Sequence, residues 1–166
     1  GTFENGPIYM HAVAFAIYAD LVTGHGDQAA ELFARLLPTN PENFDTRRTS
    51  EPYCTGNYYC GPSHPRFGQN FFTWFTGNPA WLLRAGFDRM IGLRPDFDSL
   101  RVAPCVPKSW NRFSATRVFR GQAYEFQFER SPKHPCLIID GNRLPSMRIP
   151  APAEVSSEPV RVTVQF

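Results

Sequence analysis

At 166 residues and 42% apolar side chains, the chain is long enough for one large domain or two small ones, with a packed core. A formal charge of +2 without a basic run argues against nucleic acid as a partner. Fifteen Phe with few Lys point to a packed interior rather than a disordered chain, and no apolar run is long enough to cross a membrane.

Gly1-Thr2-Phe3-Glu4-Asn5-Gly6 shows no signal-peptide pattern and leads straight into an apolar stretch, as if continuing from a preceding segment. Ile8 to Thr23 reads as a helix that is apolar on every face, with Asp20 its one charge. Such a helix belongs inside a larger helical assembly. Pro7 suits its start and Gly24 its end. Asp27 is placed to cap a second helix, from about Gln28 to Leu37, stopped by Pro38. The two form a helical hairpin.

Residues 38–69 form a long loop rich in proline and aromatic residues. A loop of that length with that composition is expected to be ordered and functional, with a short extended piece around Tyr53. A third helix is expected to start between Phe71 and Asn78 and run to Ile91, where Gly92 ends it. Three helices cannot bury the first one, so the segment reads as the end of a bigger helical domain.

Past residue 95 the period changes to two. Tyr124, Phe126 and Phe128 alternate with polar residues, as do Val160, Val162, Val164 and Phe166. Leu100–Ala103, Phe113–Phe119 and Leu137–Ile139 add further strands, with Asp140-Gly141 as a turn. About five or six antiparallel strands in this arrangement predict a β-sandwich, and with the helices an α+β chain. The expected domains are 1–95 and 96–166. Of the four cysteines, none forms CxxC or a zinc spacing. They read as free thiols of a cytoplasmic protein, with a Cys54–Cys60 disulfide left open.

Several motifs occur in a fixed order: Glu4-Asn5-Gly6-x-Ile8-x-x-His11-Ala12, Gly24-x-Gly26-Asp27-x-Ala29, Glu51-Pro52-Tyr53, and Trp74-Phe75-Thr76-Gly77-x-x-Ala80-Trp81. Ile91-Gly92-Leu93-Arg94-Pro95-x-Phe97-Asp98-x-Leu100 and Pro104-Cys105-Val106-Pro107-x-x-Trp110 follow. Together they resemble the C-terminal part of the inverting glycoside phosphorylases of glycoside hydrolase family 94. That family includes cellobiose, cellodextrin and chitobiose phosphorylases and the C-terminal region of cyclic β-1,2-glucan synthases. The resemblance reaches to about residue 130. It implies that residues 1–95 are the last helices and active-site loop of an (α/α)6 barrel, and 96–166 a C-terminal antiparallel β-sandwich.

It also implies phosphorolysis. Inorganic phosphate, a co-substrate, attacks the anomeric carbon of a β-linked disaccharide or oligosaccharide and gives an α-sugar 1-phosphate. An inverting hydrolase needs two carboxylates, one of them to activate water. Phosphate is already an anionic nucleophile, so one general acid and a set of donors suffice. A hydroxyl, backbone N–H groups and an imidazole meet that need.

By resemblance, His11 and Thr76-Gly77 bind phosphate. Taken alone, His11 reads first as a core histidine, and Thr76 as a helix cap, a reading compatible with an anion at the same helix start. Asn57 falls where cellobiose-type members carry a phosphate-contacting glutamine, with a shorter reach. Asn78 replaces the small hydroxyl residue common after Thr-Gly. The catalytic aspartate of the family lies upstream of the matched segment, so the general acid is expected outside this chain, in the remainder of the same enzyme, and the chain alone is expected to be inactive. Glu51 is expected to order the loop, and Asp96 and Asp98 to organise the turn into the strands. Tyr53, Tyr58, Tyr59, Trp74 and Phe75 read as core packing or as sugar-stacking faces. His25, His64 and His134 read as solvated loop residues. No metal or organic cofactor and no nucleic acid or membrane partner is implied, while a homodimer is.

Two rivals remain. An inverting hydrolase on a related barrel would release sugar without phosphate. A non-catalytic carbohydrate-binding module would bind sugar on Tyr124 to Phe128.

Overall fold

The computed structural model describes residues 2, 5–37, 39–40, 42, 49–51 and 54–166. Within it the chain forms two compact units, Gly1–Ala85 and Gly86–Phe166. The expected extended piece around Tyr53, and Pro38 as a helix stop, lie outside the described residues.

In the first unit α1 covers Met10–Val22 and α2 Gly26–Leu36. The buried residues of α1 are Met10, Ala14, Ile17 and Leu21, spaced to share one face. The other faces carry Ala12, Phe15, Ala16, Ala19 and Val22 in exposed positions. The apolar girdle read from the sequence is therefore covered on one side by the described residues. Gly24, at φ 85°, closes α1, and the His25 N–H donates to Asp20 O at 2.8 Å, which is the Schellman arrangement. That turn runs directly into α2, which begins at Gly26. Asp27 consequently sits in the first helical turn, where its charge suits the helix dipole, and is not the cap expected of it.

The long loop is drawn onto the start of α1 by three very short strands: β1 Ile8–Tyr9, β2 Tyr58–Tyr59 and β3 Asn70–Phe71. They form one antiparallel sheet in that order, with Tyr9 opposite Tyr58 and Tyr58 opposite Phe71. Phe72 then takes a left-handed backbone, φ 53°, and turns the chain out of the sheet toward α3, Asn78–Arg84. So Phe71 is a strand residue and the third helix starts at Asn78, the late end of the expected range. A π-helical segment, Ala85–Met90, follows.

The second unit is built of strands. β4 Leu93–Pro95, β5 Ser99–Val102 and β10 Arg148–Pro150 form a three-stranded sheet ordered β10-β5-β4. β6 Arg112–Phe119, β7 Gln122–Glu129, β8 Cys136–Ile139, β9 Asn142–Arg143 and β11 Val160–Gln165 form a five-stranded sheet ordered β6-β7-β11-β8-β9. Two hairpins use two-residue turns with both residues at positive φ, Arg120-Gly121 and Asp140-Gly141. One core joins the two sheets: Leu93, Leu100, Val102 and Ile149 from the first, Phe126, Phe128, Leu137, Val162 and Val164 from the second.

The expectation of antiparallel strands throughout is corrected at one pair. β11 runs parallel to β7 and antiparallel to β8. A parallel neighbour needs a long connection, and residues 130–159, carrying β8 to β10, supply it. Tyr124, Phe126 and Phe128 all face this core, at 4%, 0% and 1% exposure. They offer no face to a sugar, which removes the binding surface the carbohydrate-module reading needed.

Asp96 and Asp98 hold the β4–β5 turn. Asp96 accepts the Phe97 N–H at 2.9 Å and pairs with Arg148 at 3.1 Å, and Asp98 accepts the Ser99 hydroxyl at 2.9 Å. The Phe97 N–H, then Arg148, hold the Asp96 carboxyl below the usual carboxylate range.

Candidate functional site: His11 against the Thr76-Gly77 turn

The first unit brings His11 and Gly77, far apart in sequence, into contact. A Cβ placed on Gly77 would lie 3.0 Å from His11 Cε1 and 3.3 Å from Nε2. The imidazole edge carrying Nε2 therefore faces the bare Cα of Gly77, and only glycine leaves that approach open. The imidazole stands in a row of rings. Tyr9 is 5.8 Å away between centroids, Phe15 5.3 Å, and Phe15 meets Trp81 of α3 edge-on at 4.8 Å. The Tyr9 hydroxyl approaches His11 Nδ1 at 3.4 Å, a long contact.

Thr76 is half-buried, and its Oγ1 accepts the Asn78 N–H at 3.2 Å. A hydroxyl that accepts one bond still has its proton to donate. The imidazole thus meets a residue without a side chain, and the hydroxyl belongs to the residue just before it. Pro79 follows Asn78, so the start of α3 has one backbone donor occupied and one missing.

Asn57 is the hub of the local backbone. Its C=O accepts the Met10 N–H at 3.0 Å, and its own N–H reaches Phe71 O and Phe72 O at 3.2 and 3.3 Å. Its carboxamide Nδ2 donates to Phe75 O at 3.0 Å. Beside it opens a cavity of about 720 Å³ lined by Gly6, Pro7, Tyr9, Asn57, Tyr58, Phe72 and Phe75. Its walls are mostly aromatic, and the Phe75 side chain is exposed.

Residues 1–92 match the catalytic domain of the glycosyl hydrolase 94 superfamily. The chain is 37% identical, over 87% of its length, to a solabiose phosphorylase of Paenibacillus borealis, covering 19% of that protein. It is 34% identical over 78% of its length to an N,N'-diacetylchitobiose phosphorylase of Vibrio furnissii, covering 16%. It is 30% identical over 96% of its length to a cellobionic acid phosphorylase of Neurospora crassa, covering 20%. The chain belongs to the glycosyl hydrolase 94 superfamily. It spans about a fifth of the length of the curated relatives it matches.

The family's relatives are enzymes, and several of the residues singled out in the sequence meet in one place here. His11, Gly77 and the neighbouring Thr76 do, and Asn57 joins them through the backbone. Glu51 does not behave as an acid poised to give up a proton near neutral pH. Its carboxylate accepts the exposed Trp74 indole N–H at 2.9 Å. Its own backbone N–H, then the Thr73 and Trp74 side chains, hold its pKa below the ordinary 4.5. It orders the loop, as expected. Tyr58 is buried and stacks on Phe71 at 5.6 Å, so it packs, whereas Phe75 and Trp74 stay exposed. His64 Nδ1 accepts the Arg66 N–H within its own turn. Tyr53 lies outside the described residues.

All four cysteines are free thiols, so Cys54 and Cys60 are not bridged; the Cys54 thiol donates to Thr73 O at 2.8 Å. Among the described residues no three His, Cys, Asp or Glu side chains could hold a metal together, and no helix is long and apolar enough to cross a membrane.

Three contributors escaped the sequence reading. Tyr9 precedes the histidine by two positions and sits beside it only because β1 hands over to α1. Gly56 and Asn70 touch through the fold alone: a Cβ on Gly56 would lie 1.6 Å from Asn70 Oδ1. No local pattern announces such a contact.

Proposed function

We propose that this chain is the phosphate-holding part of an inverting glycoside phosphorylase. The observation that carries the reading is the contact of the His11 imidazole with Gly77, next to the Thr76 hydroxyl. His11 Nε2–H and Thr76 O–H donate to phosphate oxygens, and Gly77 leaves room for the anion. The second amide proton of Asn57, the first being held by Phe75 O, is a further donor. Names of relatives that are phosphorylases of different disaccharides support the reaction class.

The held phosphate attacks the anomeric carbon of a β-linked disaccharide or oligosaccharide from the face opposite the leaving sugar. A phosphate oxygen–carbon bond forms as the glycosidic carbon–oxygen bond breaks. A general acid elsewhere in a longer polypeptide protonates the departing oxygen, and an α-sugar 1-phosphate results. His11 and Thr76 hold and aim the nucleophile; they do not supply that proton. In this reading residues 1–95 close an (α/α)6 barrel and 96–166 form a β-sandwich, the complete enzyme is a cytoplasmic homodimer, and no cofactor takes part.

The test is phosphate dependence in the complete enzyme. His11→Ala and Thr76→Ala should each raise the KM for phosphate about 10- to 100-fold, the scale of one lost charge-assisted hydrogen bond. Sugar release at an unchanged rate in phosphate-free buffer would overturn the reading and favour an inverting hydrolase.

A further inference from the structure

The two sides of the proposed phosphate site share one reference point, the dipeptide Gly56-Asn57. On the His11 side, the Met10 N–H is bonded to Asn57 O at 3.0 Å, which fixes the first turn of α1. On the Thr76-Gly77 side two amide side chains bracket the turn. Asn57 Nδ2 donates to Phe75 O, immediately before Thr76, at 3.0 Å. Asn78 Nδ2, immediately after Gly77, donates to Gly56 O at 3.0 Å. Gly56 itself is pinned, because the Asn70 side chain occupies the space where a Cβ would stand.

Asn70 is likewise buried with its amide atoms unmet, but Asn78 is the member that belongs to the turn itself. Its side chain is fully buried, and its Oδ1 has no partner among the described residues. A buried amide whose oxygen is unmet is a costly way to fill space. Its backbone N–H meanwhile engages the Thr76 hydroxyl oxygen at 3.2 Å, so one residue both turns that hydroxyl and anchors the turn to Gly56.

We propose that Asn78 is a positioning residue. Through the hydrogen bond its carboxamide Nδ2 donates to Gly56 O it sets the distance between Thr76-Gly77 and His11, and so tunes phosphate affinity without touching phosphate. The inference rests on the phosphorylase reading above. Small displacements of a binding group carry large penalties, so a strut of this kind acts on one substrate's affinity.

The experiment compares the complete enzyme with its Asn78→Ala and Asn78→Asp variants, measuring KM for inorganic phosphate, KM for the sugar donor, and melting temperature. Asn78→Ala keeps the backbone bond to Thr76 and loses the strut. It should raise the phosphate KM about tenfold, while the sugar KM stays within about twofold. Asn78→Asp keeps the shape, loses the donor, and should do the same. An unchanged phosphate KM in both variants, or equal rises for the two substrates alongside a lowered melting temperature, overturns the strut and leaves the phosphorylase reading standing. A parent enzyme that needs no phosphate overturns both.

Discussion

Gly77 shows how much one absent side chain can decide. The His11 edge lies 3.0 Å from where a Cβ would be, so Gly77→Ala must push the imidazole aside by a few tenths of an ångström. The pushed atoms belong to a ring that also contacts Tyr9 and Phe15. Gly77→Ala should therefore raise the phosphate KM of the complete enzyme by about tenfold or more, with an unchanged melting temperature; equal affinity would show the approach to be incidental. His11 and Thr76-Gly77 could be singled out in the sequence because they sit in ordered motifs, and the fold brings His11 against Gly77. Asn78 as a strut was not, because its partner carbonyl lies 22 positions earlier and only the folded loop brings the two together.

At the level of elements, periodicity carried the reading where segments were long. β7 and β11 alternate as read, and α1 buries one face of its apolar girdle. It failed for β1, β2 and β3, since two residues have no period. It could not give the direction of β11 either, because alternation is the same in parallel and antiparallel neighbours. The loop that these short strands gather has a further tie, Glu51 to the Trp74 indole. The Glu51 carboxyl is held below 4.5, so its contribution is present above that pH and disappears as pH falls through its lower folded value. The pair is exposed and its effect small. Glu51→Gln should lower the melting temperature slightly at pH 7, and the difference from the parent should shrink to nothing well below pH 4.5. A difference that grew on acidification would contradict this assignment.

On the scale of the molecule, the family was legible because its motifs span both helical and strand regions, whereas the chemistry is divided. The phosphate-holding side chains are proposed to be here, and the proton donor in sequence that relatives carry beyond the matched fifth. The second unit has a division of its own. β6-β7 and β8-β9 are separate hairpins, and β11 is the strand that joins them. Val162 and Val164 are buried in the shared core at 2% and 0% exposure. Deleting residues 160–166 should abolish the cooperative unfolding of this unit and drive the protein into aggregates, read by calorimetry and size-exclusion chromatography. A soluble, cooperatively melting deletion would show the hairpins to be self-sufficient.

That central strand also bears on biosynthesis. A ribosome delivers the hairpins first and the strand between them much later. Until Gln165 clears the exit tunnel, β7 and β8 each present an unpaired edge, the kind of surface that recruits strands from neighbouring nascent chains. The interval between the emergence of Glu129 and that of Gln165 from the tunnel is thus the window in which this unit is most exposed to misassembly and has most use for a chaperone.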